Sequence, residues 1–432
     1  MQLPPIQAVL YPNLVNDPLF MLMTHRILLT TLLLLAFITV VAHPIINKDS
    51  LNKREWVCTW GNALLAIQPN DMPPKPGLTN HVLRQIVCVS IGGEKLKLKV
   101  SNKFGNSPLT IKSIRLAVAK DSSDTDTSTA TALTFHGQHE VTLQTGKELY
   151  SDPAFFNLQP RARIAITITF GETPSILTGH GGSRTTSYIL KNQPSLPDTA
   201  FRNATKVDHW YIIAGLEVQV KDSASSLIVF GDSIADGRGS GTNKQNRWPD
   251  ILSENLLKSP ATNHIAVVNM GIGGNCILKG GLGPTGLQRF ENDVLQQNNA
   301  KWLILAEGIN DIGTVGDSVV ADKVADALLT AYKKFIFLAH AKGIKVYGAT
   351  LLPFKKSFYY TTYKEAARNK VNDWIRKSNA FDAVIDFDSL MRDPKEKDIL
   401  LYEAQSGAND YLHPNELGYR MMGNGIDLSL FK

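Results

Sequence analysis

The sequence predicts two folds in series. An all-β, sandwich-like region over 43–222 precedes an α/β region over 223–432, a parallel sheet flanked by helices. Two observations carry this. Short alternating apolar runs separated by turn residues fill the first half. In the second half, buried-strand runs alternate with helix-length amphipathic segments, the pattern of a parallel sheet wrapped by helices. Between them the polar stretch Lys221–Ser226 offers a domain boundary.

The chain has 432 residues, 43% hydrophobic and 19% charged, the profile of a globular protein with full-sized cores. Its net charge of +6 is spread along the chain, without a basic block or aromatic-basic interleaving, which argues against nucleic-acid binding.

At the N-terminus, Met23-Thr24-His25-Arg26 is a short positive region followed by the apolar run Ile27–Val41 and the small-residue site Val40-Val41-Ala42. This is the pattern of a secretory signal, with Met1–Leu22 an upstream extension and residues 1–42 removed from the mature chain. A membrane anchor is the alternative. The run is shorter than the roughly 20 residues a spanning helix needs, so cleavage, export and no membrane span are expected.

Export makes a Cys58–Cys88 disulfide the expectation, with two buried thiols as the alternative. Cys276 reads as a packed apolar residue. Asn203-Ala204-Thr205 is a glycosylation sequon, marking Asn203 as a candidate acceptor.

Strands are expected at Val82–Ser90, Leu96–Val100, Ile111–Ala119, Arg163–Phe170 and Tyr211–Val220, with Ser122–Thr129 a polar loop. Gly179-His180-Gly181-Gly182-Ser183-Arg184 reads as a flexible loop, a surface turn or a reach towards a substrate; His180 and His209 read as surface or structural.

In the second half the strands are Leu227–Phe230, Ile265–Met270, Trp302–Ala306, Lys345–Ala349 and Ala383–Phe387. The helices are Trp248–Leu257, Gly286–Gln297, Val319–Ala341, Tyr363–Ser378 and Glu416 to about Leu430. The first three strands run into polar, glycine-bearing ends: Gly231-Asp232-Ser233, then Gly271-Ile272-Gly273-Gly274-Asn275, then Gly308-Ile309-Asn310-Asp311. Ligands bind at the carboxyl ends of strands in such sheets. A serine there is a candidate nucleophile, and a glycine N–H and an asparagine amide can stabilise an oxyanion. Asp410-Tyr411-Leu412-His413-Pro414 places a carboxylate and an imidazole in one loop, so that Asp410 can orient His413 and His413 can accept the serine proton. Asp232 reads as a local backbone acceptor, Asp311 as a loop-holding residue and Trp248 as core.

These four blocks, in this order, resemble those of the SGNH/GDSL hydrolase superfamily. Ile234-Ala235 stands where the family expects leucine after the serine. The resemblance implies a flavodoxin-like α/β sheet. It also implies Ser233 as nucleophile, His413 as base and Asp410 behind it, with the Ser233 amide, Gly274 and Asn310 as oxyanion donors. Gly274 is chosen over Gly271 and Gly273 by its spacing from Asn269. Leu83-Arg84-Gln85, Ser101-Asn102-Lys103-Phe104-Gly105 and Ser183–Ser187 are similar to the β-domain that precedes the hydrolase in a secreted branch of this family. The implied protein is a secreted serine esterase using no metal or organic cofactor. Its substrates would be small-molecule or carbohydrate esters with short acyl groups, no lid being evident. Longer acyl esters are the runner-up, and an inactive carbohydrate-binding or cell-surface module is the alternative of another class. Oligomeric state is left open.

Overall fold

The computed structural model describes residues 55–432 apart from 122, 192–200, 202, 221–223 and 408. The export signal falls outside the described residues, and the stretch read as a domain boundary does so in part. The described residues lie in one compact unit, Arg54–Lys432.

The first half is built of antiparallel sheets. In one, Ile213–Val220 lies between Glu55–Gly61 and Gly93–Ser101. In a second, Arg163–Phe170 lies between Val82–Cys88 and Leu109–Ala119, and a small third sheet sets Thr178–His180 between Leu65–Ala66 and Trp210–Tyr211. Leu96, Leu98 and Val100 alternate with lysines on one strand, and Ile164, Ile166 and Ile168 alternate on another. All six are fully buried in one shared core. This is the period-two burial that an apolar-polar alternation dictates.

Two local readings need correction here. Thr125–Leu133 is a strand paired with Leu109–Ala119, not a loop. Its threonines suit a pleated, mostly exposed edge, but without apolar alternation it carries no burial signal. The run Tyr211–Val220 is broken at Ile212, which takes φ +59° between two strands of different sheets.

The second half is a five-stranded parallel sheet in the order Ile265–Gly271, Ser225–Gly231, Ala300–Ala306, Lys345–Ala349, Ala383–Ile385. In sequence order this is 2-1-3-4-5, the doubly wound arrangement whose switch point lies beside the first strand. Leu227 to Phe230 are wholly buried, contributing to cores on both faces of the sheet. The register sets Gly231 opposite both Gly271 and Ala306, so three strand ends finish level. Helices Trp248–Leu257, Ser318–His340, Thr362–Lys377 and Glu416–Asn424 flank the sheet. Gly286–Phe290 continues as a π-turn over Glu291–Leu295, and the last helix stops at Asn424, before a short 3-10 turn at Leu428–Phe431.

The two halves share interior. Cys58, Ala63 and Leu65 pack in the core beneath the parallel sheet. Ser90 Oγ accepts from the Val267 N–H at 2.8 Å and lies 3.0 Å from the Val267 carbonyl. It thereby satisfies backbone groups on the outer strand of the sheet, where an exposed edge would invite pairing with another chain.

The expected Cys58–Cys88 disulfide is not formed; both are free thiols. They stand in different sheets and face different partners. Cys58 donates to the Trp60 carbonyl at 3.3 Å, and Cys88 to the Arg161 carbonyl at 3.4 Å. Burial pushes both thiols up.

Candidate active site

Each level strand end delivers one element of the site. After the first strand, Asp232 caps a one-turn helix, its Oδ1 accepting from the Ile234 N–H at 3.0 Å. Ser233 is the first residue of that turn, where backbone N–H groups have no intrahelical partner. After the second strand, Gly274 takes φ +70°, a conformation that favours glycine. After the third, Gly308 takes φ +138° and starts the helix Ile309–Gly313, with Asn310 in its first turn.

A buried arginine holds these ends together. Arg289 donates to the carbonyls of Gly231 and Met270 at 2.9 and 2.7 Å, and to Glu307 at 3.0 Å. Its guanidinium also stacks 3.8 Å from the centre of the Phe230 ring. Asp311 ties the loop after the second strand to the third, accepting from the N–H groups of Ile277 and Leu278 at 2.8 and 2.9 Å.

Ser233 and His413, 180 residues apart, meet at 3.0 Å between Oγ and Nε2. Both are about 5% exposed. Asp410 accepts from His413 Nδ1 at 2.9 Å and from the His413 backbone N–H at 2.8 Å. Burial alone would raise the Asp410 carboxyl, but the hydrogen bonds from His413 and the Leu412 N–H outweigh it and hold it below the usual range. A proton fixed on Nδ1 by this carboxylate leaves the Nε2 lone pair aimed at the serine hydroxyl, the geometry of general-base activation.

Asn310 is fixed at both ends of its amide. Nδ2 donates to the Asn275 carbonyl at 2.8 Å, and Tyr359 Oη donates to Oδ1 at 2.9 Å. A carbonyl oxygen can only accept, so the amide orientation is set, leaving the second Nδ2 proton free. Sequence reasoning missed Tyr359: it lies in an irregular segment with no motif around it.

The site opens into a cleft of about 360 Å³ lined by Ser233, His413, Gly273, Gly274, Asn310 and Tyr359, among others. The β-region supplies another part of its wall, including Gln68, His180, Gly182 and Arg184. The Gly179–Arg184 segment is therefore at the site, not a remote surface turn. His180 is buried, with Nδ1 donating to the Ala63 carbonyl and Nε2 facing Asp236, each at 2.8 Å. Arg184 reaches the other Asp236 oxygen at 3.0 Å. His209 lies nearby, 2.7 Å from the Gly181 carbonyl. Trp248 is fully buried against Phe387. Cys276 is buried.

The family model described as GDSL-like Lipase/Acylhydrolase matches residues 229–421. Residues 229–421 are a GDSL-like lipase/acylhydrolase domain. The domain takes in all four strand-end and loop blocks. Solved structures similar to the chain include three GDSL-type or esterase proteins. One is a lipolytic-family G-D-S-L protein from Desulfitobacterium hafniense, 22% identical over 46% of this chain and 97% of that one, with TM-score 0.35. A second is an acetyl xylan esterase, 24% identical over 46% of this chain and 96% of its own, with TM-score 0.34. A third is a GDSL-like lipase from Bacteroides thetaiotaomicron, 20% identical over 48% and 88%, with TM-score 0.34. No curated protein matches the sequence.

Proposed function

We propose that this chain is an exported serine ester hydrolase acting on short acyl esters, acetyl esters of carbohydrate foremost. The single observation that carries the reading is the chain of contacts Asp410–His413–Ser233 at 2.9 and 3.0 Å. Ser233 Oγ attacks the ester carbonyl carbon as His413 Nε2 takes its proton. The carbonyl oxygen becomes negative and is met by the N–H groups of Ser233 and Gly274 and the free Nδ2 proton of Asn310. Collapse expels the alcohol, which receives the proton from His413. Water, activated by the same imidazole, then attacks the acyl-serine and releases the acid.

Short acyl groups suit the cleft, whose wall sets Asp71, Arg184 and Arg238 between the apolar side chains of Leu65, Ile272, Leu282, Phe358 and Leu412. A long alkyl chain would desolvate those charges without pairing them. The wider reading has residues 43–222 as an accessory region, cleavage after Ala42, and a glycan on Asn203, which is exposed.

A series of 4-nitrophenyl esters from acetate to dodecanoate tests the substrate class. The expected result is kcat/KM falling steadily beyond butyrate. A maximum at octanoate or longer contradicts it.

A further inference from the structure

A second, larger cleft of about 630 Å³ adjoins the first. Gln68 lines both. The segment 64–66 divides them: Leu65 faces the Ser233 cleft, while its neighbours Leu64 and Ala66 face the second, as side-chain alternation along a strand requires. The loop after the second parallel strand divides the same way, with Leu282 on one side and Gly283 and Pro284 on the other. The two clefts therefore lie on either side of a shared wall, with Gln68 reaching both.

The second cleft cancels its own charge. Lys99, Lys103 and Arg289 line it, and so do Glu148, Glu217 and Asp293. Lys99 pairs with Glu148 at 3.1 Å, Arg289 with Asp293 at 3.0 Å, and Glu217 with Lys97 at 2.9 Å. Apart from Lys103, these charges are already paired, so an ionic ligand would have to compete with pairs already made. Neutral groups remain on offer. The side-chain amides of Asn292 and Gln296 make no hydrogen bond among the described residues, and Phe104 and Tyr150 line the cleft beside them, with the Lys97 ammonium 4.2 Å from the centre of the Tyr150 ring. Amides that donate and accept, next to aromatic rings, match the alternating hydroxyl and C–H faces of a neutral sugar.

We propose that this cleft holds neutral sugar residues of the glycan whose acyl group is cleaved at Ser233. The proposal rests on the ester-hydrolase reading and extends it to the alcohol side of the substrate. It makes the β-region part of substrate recognition, because Lys99, Phe104, Tyr150 and Glu217 come from that region.

The test compares the wild type with the double variant Asn292→Ala/Gln296→Ala, the first in the π-turn and the second just after it, and with Phe104→Ala. The substrates are 4-nitrophenyl acetate and O-acetylated xylo- and manno-oligosaccharides of four to six units. The double variant should keep 4-nitrophenyl acetate kcat/KM within about twofold. Its KM for the best acetylated oligosaccharide should rise about tenfold, as expected for two lost hydrogen bonds to a neutral ligand. Phe104→Ala should act in the same direction. Unchanged KM on every oligosaccharide, with 4-nitrophenyl acetate still turned over, overturns the cleft proposal and leaves the hydrolase reading standing. Failure of the wild type to turn over any ester overturns both.

Discussion

His180, from the β-region, stands 2.8 Å from Asp236, three residues past Ser233 in the chain. The contact is buried on both sides, with Arg184 closing the other carboxylate oxygen at 3.0 Å. Burial alone would raise the Asp236 carboxyl; His180 and Arg184 outweigh it and hold it below its ordinary range. One half of the chain thus fixes the turn that carries the candidate nucleophile of the other.

His180→Ala should therefore destabilise the protein by roughly 1–3 kcal/mol, the usual cost of leaving buried polar groups without their hydrogen-bond partner. Denaturant unfolding measures it. A loss below about 1 kcal/mol would show that Arg184 alone neutralises Asp236. Because the folded Asp236 pKa is depressed, its contribution is present above the unfolded value of about 3.9 and fades as pH falls through the folded one.

Tyr359→Phe deletes the donor that pins Asn310 Oδ1 while keeping the ring. The amide can then rotate, and kcat should fall about tenfold with KM little changed, as expected when an oxyanion donor is misplaced rather than removed. Asn310→Ala should cost roughly 10²–10³-fold in kcat. Equal kcat for Tyr359→Phe and wild type would remove Tyr359 from any positioning role.

Asp232 lies under the site, and burial pushes its carboxyl up to about 7. The native state thus keeps a proton that the unfolded chain has released. Stability from this group is full below about pH 4 and is lost as pH rises towards the folded value, by at most roughly 1.4 kcal/mol per pH unit. Asp232→Asn keeps an oxygen for the Ile234 N–H and removes the titration. The Tm of the variant relative to wild type should climb between about pH 4 and pH 7. A flat difference would mean that Asp232 is ionised throughout.

The three cysteines should all be alkylated in denatured, unreduced protein, giving three adducts by mass. One adduct together with a linked Cys58–Cys88 peptide would contradict the separation of the two strands seen here.

Much of this was legible in the sequence because local rules govern it. Leu227–Phe230 is apolar throughout since both faces of a parallel strand are covered. Ser233, Asn310 and His413 fall at strand ends and in a loop that short motifs mark. What was not legible depends on contacts distant in sequence. His180 gains its role from Asp236, 56 residues on, and Tyr359 from Asn310, 49 residues back. Arg289 bridges three strand ends that only the sheet order brings together. The cysteine pairing failed for the same reason: an oxidising compartment would permit a disulfide, but sheet assignment decides which thiols meet.

The central claim is that Ser233 is the nucleophile activated by His413. The most direct measurement is covalent labelling with a fluorophosphonate, followed by peptide mapping, on wild type, Ser233→Ala, His413→Ala and Asn310→Ala. The account predicts one adduct, on Ser233, in the wild type and none in Ser233→Ala. Labelling of His413→Ala should be slowed by orders of magnitude, while Asn310→Ala should still be labelled despite its poor turnover. An adduct on another residue, or full esterase activity and labelling in Ser233→Ala, would contradict it and return Gly231-Asp232-Ser233 to an ordinary strand-to-helix turn.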